Sequence, residues 1–238
     1  MYKMNTRVRY SEVDQNRMTT MTQVVNYFQD CSTFHSEDIG VGLDYLYQQH
    51  RAWLLLGWQI EVERFPTFGE SIDIGTWAYE FKGMLGYRNF DIVDQQGKRI
   101  ASANSIWTYI DTDTNHPVKP EGEAILKYEL NEPLSMEYLP RKIKVPNELI
   151  EKEPFQILKM HIDTNHHVNN SKYIEFALEY LEKGFVIGRM RAEYKQAAVL
   201  GDMIYPKISK EQDKVVVALN NEEDKPYVVV EFTRKKEV

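Results

Sequence analysis

The chain has 238 residues, of which 42% are hydrophobic and 12% aromatic, and a formal net charge of −7. That length holds one large domain or two small ones with ordinary cores, which excludes fibrous and disordered classes. The acidic balance argues against nucleic acid as a general partner, and no apolar run approaches the ~18–20 residues of a membrane span.

In chain order, an extended segment over 6–10 precedes a helix over 22–38. Met21, Val24, Val25, Phe28 and Cys31 recur at three- and four-residue spacing and form its apolar face. Cys31 is the single cysteine. No internal disulfide is possible, cysteine-rich metal sites are excluded, and a thiol on that face reads as core packing rather than as a nucleophile. Strands follow at 59–63, 71–82, 87–93 and 99–111, with Gln95-Gln96-Gly97 turning between the last two. Six of the nine prolines (Pro117, Pro120, Pro133, Pro140, Pro146 and Pro154) then mark a connector. Beyond it come a strand over 157–162 and a helix over 171–183 with the apolar stripe Ile174, Ala177, Leu178, Leu181, closed by Gly184. Strands at 186–195, 203–209, 214–219 and 227–233 complete the chain.

The order of elements repeats, and residues repeat with it. Val13-Asp14-x-Asn16 falls on Ile162-Asp163-x-Asn165, and Val25 on Ile174, at a shift of 149. Glu61…Gly69-Glu70-x-Ile72 falls on Glu193…Gly201-Asp202-x-Ile204 at a shift of 132. One long helix followed by an antiparallel sheet, twice over, predicts an α+β fold of two units in which each sheet wraps its helix. The expected boundaries are an N-terminal unit over 1–135, a Pro-rich linker over 136–155 and a C-terminal unit over 156–238.

The most informative block is Asp163-Thr164-Asn165-His166-His167-Val168-Asn169-Asn170-Ser171-Lys172. If its backbone is extended, Asp163, Asn165 and His167 share a side and converge. A helix start follows, with Asn169, Asn170 or Ser171 as N-cap, and free amides there can stabilise an oxyanion. A carboxylate, an amide and an imidazole suit thioester hydrolysis: a base or nucleophile, an orienting group and a proton carrier. Two other readings stand beside this one. Asp-x-Asn before a helix is common turn and cap chemistry, and His161, Asp163, His166 and His167 together resemble a compact metal set. The N-terminal copy keeps Asp14 and Asn16 but has Arg17 and Met18 in place of His166 and His167. A structural Asp-x-Asn would stand in both copies, which puts most functional weight on His167.

These residues resemble the acyl-acyl carrier protein (acyl-ACP) thioesterases of plants and bacteria. The resemblance rests on Arg9-Tyr10-Ser11-Glu12-Val13-Asp14, on Asn165-His166-His167-Val168-Asn169-Asn170-Ser171-Lys172-Tyr173-Ile174 and on Glu193-Tyr194-Lys195, and it covers essentially the whole chain. It implies a tandem (double) hotdog, two curved antiparallel sheets each around a long helix. It also implies hydrolysis of fatty acyl-ACP with release of free fatty acid, ending chain elongation. No cofactor and no metal are implied. Plant members carry a plastid transit peptide. The N-terminus here lacks both that composition and a signal peptide's apolar core, so the expectation is a bacterial, cytoplasmic enzyme with no membrane association.

By the resemblance, the catalytic residues fall on Asp163, Asn165 and His167. The family's fourth residue, a glutamate, falls on Ala197, and a cysteine once proposed as nucleophile falls on Ala198. A cysteine mechanism at that position is therefore excluded, and Glu193 or Asp202 is left to orient water or the imidazole. The N-terminal unit would hold the acyl chain, with Trp53, Trp58, Trp77, Met84 and Trp107 as candidate walls; core packing explains these residues equally well. The acidic carrier protein requires local positive patches, for which Arg141, Lys142, Lys144, Arg189, Arg191 and Arg234-Lys235-Lys236 are candidates. An acyl-CoA thioesterase and a non-catalytic acyl-binding double hotdog remain the alternatives. Two hotdogs in one chain are compatible with a monomer or a homodimer.

Overall fold

The computed structural model describes residues 1–236. They divide into two compact units: residues 1–56 with 62–138, and residues 57–61 with 139 onward.

In the first unit, β1 (Tyr2–Arg7) is followed by α1 (Met21–Asp38), α2 (Leu43–Gln48), β2 (Arg51–Val62), β3 (Ser71–Lys82), β4 (Leu85–Asp94), β5 (Arg99–Asp111), the two-residue β6 (His116–Pro117) and the short α3 (Glu123–Leu126). Antiparallel pairing gives the order β1-β3-β4-β5-β2. The β4–β5 turn closes because Asp94 Oδ1 accepts the Gln96 and Lys98 N–H groups while Gly97 takes φ +78°, a conformation that side chains with a Cβ disfavour.

Helix α1 starts where Thr20 Oγ1 accepts the Gln23 N–H at 3.2 Å. Its apolar face, Met21, Val24, Val25, Phe28 and Cys31, is completely buried against β3 and β1. Phe28 meets Phe90 of β4 with ring centroids 5.1 Å apart. Cys31 Sγ donates to Ile74 O, and burial pushes its thiol up to about 12, the state of a core residue. The other face of the sheet is covered by residues 131–138. Trp77 Nε1 donates to Glu132 O at 2.9 Å, and Asn89 Oδ1 accepts from Leu134 N and Tyr138 Oη.

In the second unit, β7 (Ile150–Glu151) and β8 (Phe155–Gln156) lead to α4 (Asn170–Leu178), β9 (Ile187–Tyr194), β10 (Met203–Lys210), β11 (Lys214–Asn220) and β12 (Pro226–Arg234). Residues 57–61 of β2 pair with β9, and the order continues β9-β12-β11-β10-β7. Helix α4 packs on β11 and β12. Much of the Pro-rich connector is docked. Ile143 joins Val216, Ala218 and Val229 in one buried cluster, and its N–H binds Glu193 Oε2 at 3.0 Å. Each unit is thus an antiparallel sheet with one principal helix packed on it, α1 in the first and α4 in the second, the expected hotdog arrangement.

The structure differs from the sequence expectation at several elements: β2 runs over Arg51–Val62 rather than 59–63, and α2 is not among the expected helices. The extended segment expected at 6–10 ends at Arg7, and a 3-10 turn over Tyr10–Glu12 follows, because Glu12 Oε2 accepts the Arg9 N–H at 2.7 Å. The strand expected over 157–162 is likewise replaced by β8 and a 3-10 turn over Lys159–His161, where His161 Nδ1 accepts the Leu158 N–H at 3.0 Å. Helix α4 stops at Leu178 rather than 183. From there the Tyr180 and Leu181 N–H groups bond back three residues, as acidic Glu179 and Glu182 oppose the helix dipole.

Candidate active site

The Asp163–His167 segment is a closed loop, which corrects the extended backbone assumed from sequence. Asp163 N–H bonds to His167 O at 2.8 Å, and an antiparallel bridge joins Ile162 to Val168 behind them. Asp163 Oδ1 accepts the Asn165 N–H at 2.8 Å and faces the His167 N–H at 3.4 Å. His166 occupies the left-handed region at φ 61°. The turn reading of Asp-x-Asn is therefore correct for half of the carboxylate. Asn165, His166 and His167 are exposed, Asp163 is half-buried and Val168 is buried.

The first unit repeats this loop almost bond for bond. Asp14 Oδ1 accepts from Asn16 N (2.8 Å) and Met18 N (3.1 Å), Asp14 N–H bonds to Met18 O, and Arg17 sits at φ 61°. The two loops part company at the side chains. Asn16 Nδ2 folds back onto Asp14 Oδ2 at 3.2 Å. Asn165 makes no such bond among the described residues, so Asp163 Oδ2 and the Asn165 carboxamide both remain available, with an imidazole beside them in place of a methionine.

Behind the loop, α4 starts at the N-cap Asn169, whose Oδ1 accepts from both the N–H and the Oγ of Ser171 at 2.9 Å. Val168 N–H bonds to Ala198 O at 2.9 Å, which sets the 195–202 loop against the Asp163 loop. Ala197 is exposed at its edge, whereas Ala198 is fully buried, so a side chain there faces the core. Glu193 is buried and committed: its carboxylate binds the Ile143 N–H and lies 3.4 Å from Lys195 and 3.7 Å from Arg141. Asp202, the other acid expected to replace the missing glutamate, is half-buried. Its Oδ2 accepts from Tyr227 Oη and Val199 N, each at 3.0 Å. Burial and this bond push the Tyr227 phenol up to about 12.

His161, one member of the metal alternative, spends its Nδ1 on the turn. Burial first, and then Lys172, lower its pKa from the ordinary imidazole value. Among the described residues no three His, Cys, Asp or Glu side chains lie close enough to hold a metal ion.

The five candidate wall residues are dispersed. Trp53 packs on Tyr109 and Phe81, with centroids 4.7 and 5.9 Å apart. Trp107, whose Nε1 donates to Ser105 Oγ at 2.7 Å, stands opposite Gly86, on the helix side of the sheet with Arg88. Trp77 faces the other side, under residues 131–138, Met84 is exposed in the β3–β4 turn, and buried Trp58 belongs to the second unit. The docking candidates divide as well. Arg189 pairs with Glu61, largely buried Arg191 pairs with Glu231 and reaches Pro140 O, Arg141 faces Glu193, and Arg234 pairs with Glu182 over the Phe185 ring. Lys142 and Lys144 are exposed and pair with no carboxylate among the described residues.

No helix of the structure is long and apolar enough to cross a membrane. Comparison with known proteins agrees with the geometry. The sequence pattern of the acyl-ACP thioesterase N-terminal domain matches residues 1–128, and that of the C-terminal domain matches residues 145–232. An acyl-ACP thioesterase from Bacteroides thetaiotaomicron superposes with a TM-score of 0.90 at 24% identity, covering 98% of this chain and 97% of that one. The 12:0-ACP thioesterase of Umbellularia californica gives 0.86 at 17% identity, covering 99% and 97%. A chloroplastic acyl-ACP hydrolase of Cuphea viscosissima is 25% identical over 75% of this chain and 46% of its own length. For an oleoyl-ACP thioesterase of Arabidopsis thaliana the figures are 25%, 78% and 56%. The chain thus spans about half the length of these curated relatives. With both family domains matched in order along its length, the chain belongs to the acyl-ACP thioesterase family.

Proposed function

We propose that this protein hydrolyses the thioester of fatty acyl-ACP and releases free fatty acid. The observation that carries the reading is the difference between the two loops. The backbone is conserved by the repeat, yet the Asp163 loop alone presents a free carboxylate oxygen, a free carboxamide and an imidazole.

In this reading Asp163 Oδ1 holds the loop while Oδ2 takes a proton from water. The water oxygen attacks the carbonyl carbon, and Asn165 steadies the developing oxyanion. The tetrahedral intermediate collapses with cleavage of the carbon–sulfur bond; His167 takes up the proton that Asp163 removed from water and delivers it to the departing thiolate, which returns both groups to their starting states. Asp202, at the edge of the 195–202 loop, is the acid best placed to compensate for Ala197. The first unit serves the acyl chain, and Lys142 and Lys144 are the docking residues for an acidic carrier.

The test is free-thiol release from acyl-ACPs of C8 to C18, with the matching acyl-CoAs alongside and His167→Ala in parallel. Preferential release from the carrier forms, lowered at least ~100-fold in the variant, is expected. Release that is indifferent to His167, or confined to the CoA esters, would sink the reading.

A further inference from the structure

The repeat identifies a second contrast one layer behind the loop. In the first unit the Thr19 N–H bonds to Pro66 O at 2.9 Å; its counterpart in the second unit is the bond from Val168 N–H to Ala198 O, also 2.9 Å. Proline has no N–H, so Pro66 makes no further demand. Ala198 has one, it is fully buried, and it is satisfied by Tyr173 Oη at 2.8 Å. Tyr173 lies three residues into α4, is 2% exposed, and stands where the first unit has the fully buried Val24. Alanine with tyrosine has replaced proline with valine, and each pair leaves no orphaned donor.

The replacement matters because the second unit's loop lacks two ties to its neighbouring loop that the first unit has. In the first unit the Phe68 N–H reaches Arg17 O at 2.8 Å and Met18 bridges Thr67. Among the described residues the second unit has no counterpart of either tie: no bond from Leu200 to His166 and no bridge at His167. The imidazole-bearing stretch is therefore open on that side. At its C-terminal end it is held by the Ile162–Val168 bridge, by the Asn169 N–H bond to His161 O, and by the chain of contacts from Tyr173 Oη to Ala198 N–H and from Ala198 O to Val168 N–H, which is its one link to the 195–202 loop among the described residues. Tyr173 is itself fixed by burial, with its ring edge-on to Tyr194 and Phe176 and its phenol kept protonated chiefly by burial, with Asp202 and Asp163 adding to the effect.

Resting on the hydrolytic reading above, we propose that Tyr173 is a positioning residue of the site. Its hydroxyl holds the 195–202 loop through Ala198 and so fixes Val168 and the His167 imidazole next to it. A loop with no tie left to the 195–202 loop would still bind substrate but would present His167 in the reactive orientation less often, which lowers kcat and spares KM.

The first unit supplies the control: Ala198→Pro removes the donor that Tyr173 satisfies, and with it the penalty of an orphaned N–H, but does not restore the tether. For Tyr173→Phe, kcat for acyl-ACP should fall about tenfold with KM within about twofold, and amide exchange at residues 163–168 should quicken about tenfold. In Tyr173→Phe with Ala198→Pro, both readouts should stay within about twofold of the single variant. Unchanged kcat and exchange in the single variant, or a return of both to the parent values in the double variant, overturns the proposal, the latter because an orphaned donor rather than a lost tether would then be the cause. If Tyr173→Phe does not fold, the double variant, which has no orphaned donor, decides: slow turnover with the parent KM supports the tether, and parent turnover rejects it. If the parent protein releases no thiol, the hydrolytic reading fails, and the exchange rates still judge the tether.

Discussion

The loops Asp14–Met18 and Asp163–His167 share a backbone, a left-handed fourth residue and an aspartate bonded to the same two N–H positions. The first loop is closed in every direction: Asn16 caps the second carboxylate oxygen, and Phe68 ties down Arg17. The second loop keeps the fold-forming half of these interactions and gives up the rest. Duplication offered two copies of one turn, and the turn needs only one oxygen of its aspartate. One copy spends the second oxygen on its own asparagine; in the other copy that oxygen makes no hydrogen bond among the described residues.

The largest test of this contrast is the same substitution made in each loop. Asparagine keeps an oxygen where Oδ1 stands but cannot accept a proton from water at the other position. Asp163→Asn should lower kcat about 100- to 1000-fold with little change in Tm, whereas Asp14→Asn should leave kcat within about twofold. Thiol release and thermal melts on both variants decide it. Equal effects would mean that the two aspartates do the same structural work.

The second test uses the helices. His35 on α1 is buried, its Nδ1 3.0 Å from Arg88 Nη1, and the corresponding position in the second unit is Gly184, beyond the end of α4. Burial, reinforced by Arg88 and the N-terminal amine and opposed by Asp38, lowers the His35 pKa to about 4. Tyr2 stacks on the same ring and Tyr128 meets it edge-on. A base with a depressed folded pKa is neutral in the native state while the unfolded chain takes up its proton. The stability it contributes is therefore intact above the unfolded value near 6.5 and is lost as pH falls toward 4, amounting to about 3 kcal/mol. Acid melts should show this loss, and His35→Gln, which retains an acceptor without titrating in this range, should flatten it. An unchanged acid profile in the variant would show that His35 is not the titrating group.

How much of this was legible without coordinates follows from where the information resides. The helix α1 face, the alternating strands and the double unit were readable because periodicity is written in residue type. The Asp-x-Asn repeat and the missing histidine pair were readable for the same reason. The backbone of the loop was not. An i, i+2, i+4 pattern implies a shared face only in extended chain, and one left-handed residue at His166 converts the pattern into a turn. The role of His161 was hidden too: the 149-residue shift sets it on Glu12, and both side chains accept the N–H three residues back, although a histidine and a glutamate do not look alike in sequence. Tyr173 could have been found by asking what replaces Pro66 at Ala198, since an alanine in a proline's place creates a donor that something must satisfy. The dispersal of the tryptophans was beyond sequence, because the side of the sheet on which Trp77 stands depends on pairing register.

The smallest expected effect concerns the caps, and it separates stability from function most cleanly. Thr20 accepts one N–H, that of Gln23, at the start of an 18-residue helix. Asn169 accepts the N–H and the hydroxyl of Ser171 at the start of a 9-residue helix, and its own N–H is bound to His161 O at 3.0 Å. Alanine at either position removes a cap worth about 1 kcal/mol, so both variants should melt a few degrees lower. The consequences for turnover should differ. Fraying at Thr20 frees a loop that Phe68 and Thr67 still hold, and kcat should not move. Fraying at Asn169 loosens the residue following Val168, in a loop that lacks those two ties, so Asn169→Ala should cost kcat about threefold at a temperature well below both melts. Equal stability losses with unequal turnover would show that the first unit's loop is closed by redundancy and the second unit's by its cap and its tyrosine. Equal turnover would place the anchoring of the reactive loop entirely on Ala198.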